Sequence, residues 1–274
     1  MTWPTVPIVT TAMDAGTDTP PRDQIKAMAD AINDMIATPP AAGAGRLIGV
    51  QVFDTVGSFT YTPTAGAGSV IVDVVGGGGG GGGRNSTAAG QVALSGAGAG
   101  GARAVVRYDG GIVSAAVIVG ANGVGGSSGG GTGTSGGASS LTFTGGRGSV
   151  SCGGGGGAFG GAASGTFPRA EYQGSTGGSA TITSSGSSQT IANFKGGDSG
   201  LCVARSATCA VVGGAGAPDQ VTMPDNGGSG VIVGRSLVSP GYGSGGAGSA
   251  NCQSLADAAG ANGKQGRVIV WEYA

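Results

Sequence analysis

Apolar residues recur at helical spacing in one stretch near the start of the chain. Asp18-Thr19-Pro20-Pro21 offers a helix N-cap and prolines suited to a first helical turn, and Thr38-Pro39-Pro40 marks a stop. This stretch predicts a helix over residues 20–37 with one apolar face. We call that face the seam; its residues, spaced three or four apart and then adjacent at the end, are Ile25, Met28, Ile32, Met35 and Ile36.

An isolated helix of this length is marginally stable, so the seam needs a partner. Two interpretations remain open. In the first, the seam packs on the chain's own domain. In the second, residues 1–46 are an N-terminal attachment segment, and the seam carries oligomerisation, most simply as a homotrimer, or docking on a larger assembly. In either case a small-residue stretch, residues 41–45, precedes a second region of 47–274, which we treat as one domain.

From residue 47 onward the pattern changes to short β-branched or alternating apolar runs, which are typical of strands. Asp109-Gly110-Gly111 lies between two such runs and predicts the turn of a hairpin. The predicted strands cover 47–53, 58–61, 70–75, 102–108, 114–119, 139–143 and 266–273.

The strand that ends at Val75 runs directly into eight consecutive glycines, Gly76–Gly83. Glycine supplies 65 of the 274 residues, against an average share of about 7%. Such a tract is either a flexible linker or a structure that only glycine allows. Because this tract continues an apolar strand and similar blocks recur, the second interpretation is favoured. It predicts buried polyglycine-II helices, of polyproline-II geometry, packed backbone against backbone.

Together these patterns predict the fold class: mostly β and irregular, with a short N-terminal helix and a small antiparallel β domain leading into packed polyglycine-II helices with projecting loops. Charged residues are 10% of the chain, the net charge is −1 and the mean hydropathy is positive, which favours a folded chain over a disordered one. The balanced charge gives no indication of nucleic-acid binding. No apolar run reaches the roughly 18 residues of a membrane span.

Residue types that carry catalysis or bind metals are scarce. The chain has no histidine, which removes Ser-His-Asp and Cys-His arrangements, and its only glutamates are Glu171 and Glu272. The four cysteines lack the spacing of a zinc module, so buried thiols are favoured. Disulfides between Cys202 and Cys209, or between Cys152 and Cys252, are left open. We expect no enzymatic activity, no cofactor and no metal.

Four motifs occur in an order that resembles a known family. An aromatic strand pattern at 57–63 precedes a valine-rich strand that enters polyglycine at 72–76. A Gly-Ala-Ser-Ser-Leu-Thr-Phe run follows at 137–143, and Gly-Arg-Val-Ile-Val-Trp-Glu-Tyr closes the chain at 266–273. From about residue 47 to the end, this order resembles bacteriophage tail-fibre and adhesin proteins with a glycine-rich domain.

The resemblance implies a virion protein at the distal end of a phage tail fibre. Loops between its glycine helices would bind a host cell-surface receptor, either an outer-membrane protein or a polysaccharide, and its N-terminal segment would join other tail proteins. Aromatic and charged side chains are concentrated in the connectors between glycine blocks, as on recognition surfaces. The predicted receptor-binding residues are Phe167, Arg169, Tyr172, Arg205, Asp219, Asp225, Arg235 and Tyr242.

The alternative is a purely structural glycine-rich fibre, or an ice-binding-like polyglycine bundle. A structural bundle needs only repeated, bland connectors. The connectors of this chain differ from one another in length and in side-chain type, which favours binding.

Overall fold

The computed structural model describes residues 45–171, 175–184, 188–200, 202–206, 209–211, 241–248, 250–252 and 254–274. Sixteen strands lie within these ranges. In chain order they are β1 (Leu47–Phe53), β2 (Gly57–Tyr61), β3 (Ser69–Val75), β4 (Val92–Leu94), β5 (Arg103–Asp109), β6 (Ala115–Val119), β7 (Ser139–Phe143), β8 (Gly148–Cys152), β9 (Ala163–Ser164), β10 (Arg169–Glu171), β11 (Ala180–Ser184), β12 (Ser188–Phe194), β13 (Cys202–Ser206), β14 (Cys209–Val211), β15 (Ala250–Cys252) and β16 (Arg267–Tyr273).

Two five-stranded sheets form a sandwich. The first sheet has the order β1-β16-β3-β5-β12 and the second the order β11-β8-β7-β6-β2, with antiparallel neighbours throughout. Two smaller sheets, β15-β4-β9 and β10-β13-β14, have three strands each.

The core of the sandwich lies between the inner faces of the two large sheets. The alternation along β3 places Val70, Val72 and Val74 inward, where they meet side chains of the second sheet such as Val117 and Leu141. All five side chains are fully buried. The period-two pattern of the sequence therefore decides which face of each strand is covered by the other sheet.

Glu272 connects three chain segments at the edge of this core. Its carboxylate is fully buried and accepts hydrogen bonds from the Tyr61 hydroxyl (2.7 Å), the Thr64 amide (2.9 Å) and Thr64 Oγ1 (2.6 Å). The Gln51 amide nitrogen adds a longer bond of 3.3 Å. Burial alone would raise the pKa of Glu272, but the hydrogen bonds outweigh it and hold the pKa below its ordinary value.

Gly76–Gly83 forms the centre of a bundle of glycine-rich segments beside the sandwich. Its N–H groups donate in rotation to carbonyl groups of the segments 96–102, 131–137 and 258–264, at 2.8 to 2.9 Å. The same neighbour recurs at every third residue, so that Gly76, Gly79 and Gly82 all bond to 96–102. The octaglycine therefore donates to a different neighbour at each step along its length.

The carbonyl groups of the octaglycine point to a second set of neighbours. They accept hydrogen bonds of 2.7 to 2.9 Å from the segments 120–126, 153–161 and 243–248. The octaglycine is buried throughout, as its position after an apolar strand predicts. A methyl group built on Gly79 would overlap the carbonyl oxygen of Gly156, and most other glycines of the segment meet backbone atoms in the same way. The bundle packs backbone on backbone, so only glycine fits along its centre.

The predicted fold class is wrong about which secondary-structure elements make up the domain. The described residues contain no α-helix and one 3-10 turn at Thr144–Gly146, and antiparallel sheets make up the architecture. The glycine-rich segments form neither helix nor strand, so the predicted packed polyglycine-II helices are not found. The physical reason is that two runs with weak apolar alternation, which are not among the predicted strands, pair into the large sheets: Ala180–Ser184 and Ser188–Phe194. The predicted helix 20–37 and its seam lie outside the described residues.

The predicted hairpin around residues 109–111 is also wrong, although both of its strands exist. β5 pairs with β3 and β12, whereas β6 pairs with β2 and β7. The turn carries the chain from one sheet to the other, and Gly110 and Gly111 both take positive φ values there (64° and 52°). All seven predicted strands are confirmed within one residue at each end, apart from their pairing.

We predict that Gly79→Ala is severely destabilising, because the added methyl must push apart two backbones that share hydrogen bonds. We expect a loss of about 3 kcal/mol or more in the free energy of unfolding, which lowers the melting temperature by about 6–12 °C in a domain of this size. Gly241→Ala is the matched control, since a methyl there meets open space and the residue has no positive φ. Calorimetry that finds equal melting temperatures for the two variants would contradict the backbone packing.

We predict that Glu272→Gln weakens the fold by about 1.5–3 kcal/mol at neutral pH, through loss of hydrogen bonds to a charged acceptor. Because the pKa is lower in the folded state than the ordinary 4.5, the stabilisation is present above pH 4.5 and is lost as the pH falls through the folded pKa. The parent should therefore lose stability on acidification more steeply than the variant, as measured by urea unfolding from pH 7 to pH 3. Asp257→Asn, at an exposed carboxylate, should stay within about 0.5 kcal/mol of the parent.

Candidate binding surface at the end of the glycine bundle

The two ends of the glycine bundle differ in what they join. At the Gly76 end, the glycine-rich segments continue directly into strands of the sandwich, including β3, β5, β6, β7, β8 and β16. At the Gly83 end, they are joined by connectors of unlike sequence that carry both three-stranded sheets. We call the described connector residues at this end, 84–95, 127–131, 161–171, 199–200, 202–206, 209–211, 250–252 and 254–257, the tip.

A small hydrophobic core of its own orders the tip. Val92 and Leu94 of β4 are fully buried against Cys202 and Ala204 of β13 and against Ala250 of β15. Phe167 packs on this cluster from the side. β4 pairs with both β15 and β9, so three distant connectors are held in one register.

Arg84 ends the octaglycine with a buried charge. Its side chain is 8% exposed and donates from Nη1 to the carbonyl of Ala250 at 3.0 Å. Its backbone N–H donates to Ala258 at 2.9 Å, and its carbonyl accepts from Gly129 and Ala258. The guanidinium thus joins the end of the bundle to the tip strand β15 by a charge-assisted hydrogen bond.

Asn251 connects two further connectors of the tip. It is fully buried, and its side-chain nitrogen donates to the carbonyl groups of Asn85 (3.0 Å) and Ala256 (2.6 Å). Thr87 and Leu255 bond reciprocally beside it, through the Thr87 amide at 3.0 Å and the Thr87 hydroxyl at 3.3 Å. These bonds fix the path of both connectors relative to the bundle.

The charges next to the tip are paired at the surface. Lys195 donates to both carboxylate oxygens of Asp198 at 2.8 and 3.0 Å, and the Gly177 amide adds a bond of 2.7 Å. The hydrogen bond from Lys195, followed by that from Gly177, holds the pKa of Asp198 below its ordinary value. Among the described residues, no three His, Cys, Asp or Glu side chains lie close enough to hold a metal ion.

Three of the predicted receptor-binding residues belong to the tip. Phe167 lies in the tip core, and Arg169 belongs to β10, where it pairs with Ala204 of β13. Arg205 is the next residue along β13, so the two arginines stand on neighbouring strands. Four further candidates lie outside the described residues: Tyr172, Asp219, Asp225 and Arg235.

Tyr242 is separated from Phe167, Arg169 and Arg205, because it lies at the sandwich end of the bundle. Its hydroxyl donates to Asp54 at 3.4 Å, and its ring lies 4.7 Å from the guanidinium carbon of Arg267 in a cation–π contact. It lines an open polar groove of about 520 Å³ whose other walls are Asn122, Gly241, Asn262, Gly263, Lys264 and Gln265. The sequence analysis missed this groove; its only signal is that polar side chains interrupt glycine-rich segments.

Cys152 and Cys202 are buried free thiols. Cys152 lies in the sandwich core, where burial raises the pKa of its thiol to about 12. The Cys202 thiol in the tip core donates to the carbonyl of Ser95 at 3.4 Å. Burial of the Cys152 thiol therefore disfavours the reactive thiolate.

We predict that Asn251→Ala loosens the tip without unfolding the sandwich, because it removes both hydrogen bonds from the Asn251 side chain to the carbonyl groups of Asn85 and Ala256. The expected cost is about 1–3 kcal/mol, seen by hydrogen–deuterium exchange as faster exchange in 84–94 and 250–257 and unchanged exchange in β3 and β16. Asn193→Ala, at an exposed position of β12, is the matched control. Equal exchange in the two variants would show that Asn251 does not order the tip.

Comparison with known proteins places the chain in one family. No helix in the described ranges is long and apolar enough to cross a membrane. A search of curated proteins found no match. A family model described as a glycine-rich domain matches residues 54–273, which is most of the chain and includes the bundle and all strands of the sandwich except β1. The chain belongs to this family of glycine-rich domains.

Proposed function

We propose that this chain is a phage tail-fibre protein that binds a receptor on the surface of a host bacterium through its tip. The observation that carries the proposal is the segregation of side chains in the fold. Connectors of unlike sequence converge at one end of a bundle whose centre is backbone alone. Binding residues concentrate on loops held by a rigid scaffold, and this arrangement supplies both parts.

The bundle makes the tip suited to binding in a second way. Each connector starts and ends on a glycine-rich segment whose backbone hydrogen bonds are made to other segments. The ends of the loops are therefore fixed before a ligand arrives, which reduces the conformational entropy lost on binding. The tip core and the Asn251 bonds limit the motion of the connectors further.

The chemistry of the tip supports a surface receptor as the ligand. Arg169 and Arg205 stand on paired strands, and Phe167 lies close by in sequence. Arginine and aromatic side chains supply much of the energy in recognition surfaces. A bacterial outer-membrane protein or a surface polysaccharide offers carboxylates, hydroxyls and sugar faces that suit this set. Residues 1–46 would then join the domain to other tail proteins in the virion.

A purely structural role is the second candidate. The observation that favours it is that the centre of the bundle buries backbone only, which suits a shaft as well as a scaffold. The two candidates differ in what the tip side chains do. In a shaft they are dispensable, and in a receptor-binding protein a few of them dominate affinity.

We predict that Arg169→Ala and Arg205→Ala each weaken binding of the labelled full chain to susceptible bacterial cells by about thirtyfold, the effect of losing about 2 kcal/mol. A panel of strains is screened first with the parent, and Kd is then measured on the strain that binds best. Arg107→Ala, at an exposed arginine of the sandwich, is the matched control and should bind like the parent.

The predicted role of the remaining candidates is tested in the same assay with alanine variants of Phe167, Tyr172, Asp219, Asp225 and Arg235. Tyr242→Ala reports separately on the polar groove. Melting curves confirm that each variant is folded. Parental affinity in all of these variants and in Arg169→Ala and Arg205→Ala, on a strain that the parent binds, would overturn the receptor-binding role of the tip and favour a structural fibre.

A further inference from the structure

The polar groove beside Tyr242 lies at the sandwich end of the bundle, away from the tip. Its floor is the segment 262–265, which runs between Asn122 on one side and Gly241 and Tyr242 on the other. Its volume of about 520 Å³ falls within the range of about 300–1,000 Å³ that is usual for small-molecule sites. The groove has the size and shape of a binding site.

Backbone hydrogen bonds hold the floor of the groove on three sides. The carbonyl of Lys264 accepts from Gly78 of the octaglycine at 2.8 Å, and the amide of Gly263 donates to Gly123 at 2.9 Å. On the Tyr242 side, the Lys264 amide donates to Ser244 at 2.8 Å. The fourth side faces solvent, and the floor is ordered before any ligand arrives.

The asparagine side chains of the groove offer both a donor and an acceptor. Asn262 accepts from the Gly125 amide through Oδ1 at 2.7 Å, so its exposed Nδ2 remains a donor. Asn122 donates from Nδ2 to the Gly123 carbonyl at 3.3 Å, which leaves its Oδ1 as an acceptor. A sugar hydroxyl both donates and accepts, so a ligand rich in hydroxyls can satisfy both groups.

Two contacts orient the ring of Tyr242 at the side of the groove. Its hydroxyl donates to the Asp54 carboxylate at 3.4 Å, and the guanidinium carbon of Arg267 lies 4.7 Å from the ring centroid. Tyr242 lines the groove whereas Arg267 does not, which leaves the opposite face of the ring for a ligand. The C–H face of a sugar ring is apolar and can stack on an aromatic face held in this way.

The groove carries one cation that is not paired. Lys264 is exposed, and no carboxylate in the described part of the chain lies within ion-pair distance of its ammonium group. Beside the groove, the charges of Arg267 and Asp54 offset each other, so Lys264 determines the net charge. One lysine suits a ligand with one carboxylate, whereas a nucleic acid needs several cations for its phosphates.

We infer that the polar groove binds a saccharide that carries a carboxylate, such as a uronic or sialic acid. Tyr242 stacks on a sugar ring, Asn122 and Asn262 bond its hydroxyls, and Lys264 pairs with the carboxylate. The inference goes beyond the proposed role of the tip and does not depend on it, because no residue of the groove belongs to the tip.

An array of defined saccharides, both neutral and acidic, tests the class of ligand. The labelled full chain should bind acidic members of the array. Kd is then measured by titration calorimetry for the member that binds best and for the same saccharide with its carboxylate reduced to a hydroxymethyl group. We expect the reduction to weaken binding about tenfold or more, the effect of losing a hydrogen bond to a charged group.

Variants of the groove test which side chains make the contact. Tyr242→Ala and Lys264→Gln should each weaken binding of the acidic saccharide about tenfold or more. Lys264→Gln should leave the affinity for the carboxyl-reduced saccharide unchanged. Phe159→Ala and Lys195→Gln are the matched controls, because they change an exposed aromatic residue and an exposed lysine outside the groove. Both controls should bind like the parent, and melting curves establish that every variant is folded.

The test separates this site from the tip. Arg169→Ala should bind the acidic saccharide like the parent, whatever its effect on binding to cells. Failure of the folded parent to bind any saccharide of the array would overturn the inference. Parental affinity in both Tyr242→Ala and Lys264→Gln, or loss of saccharide binding in a folded Arg169→Ala variant, would overturn it as well, because the saccharide would then be bound elsewhere.

Discussion

The structure depends on hydrogen bonds made between backbones that carry no side chains. A segment such as Gly76–Gly83 cannot satisfy its own polar groups, and burial makes an unpaired amide or carbonyl costly. It solves this problem by donating to three neighbours and accepting from three others. The neighbours must approach to within a hydrogen bond on every side, and that distance leaves no volume for a Cβ atom. The glycine content of the chain follows from this geometry.

Ordering such a bundle costs a large amount of conformational entropy. Glycine loses more conformational freedom on folding than any other residue, and a bundle without side chains gains little from apolar burial. The sandwich offsets this cost, because its strands lead directly into the glycine segments and fix where they begin. β3 leads directly into the octaglycine. β5, β6, β7 and β8 each adjoin one of the segments that surround it. The hydrophobic core of the sandwich thus fixes the register of the glycine segments, which have few side chains that could fix it themselves.

The sequence could predict strands but not their partners. β-branched alternation is a local property, and it located seven strands correctly, whereas the assignment of β5 and β6 to different sheets depends on contacts across the sandwich. The strands β11 and β12 have weak apolar alternation, so their sequences do not distinguish them from connectors. The sequence could not predict the tip core either. Val92 and Cys202 lie over a hundred residues apart and meet only because the bundle returns both connectors to one end.

The separation of the bundle from the tip explains which parts of the chain tolerate substitution. A substitution in the bundle meets backbone atoms of another segment, so its effect passes to the neighbours on every side. A substitution in the tip meets a small local core and a few hydrogen bonds, such as those of Arg84 and Asn251, and its effect stays near the connector that carries it. A fold built in this way can keep one scaffold while the side chains at its end vary. That combination is what a surface that must adapt to new ligands requires.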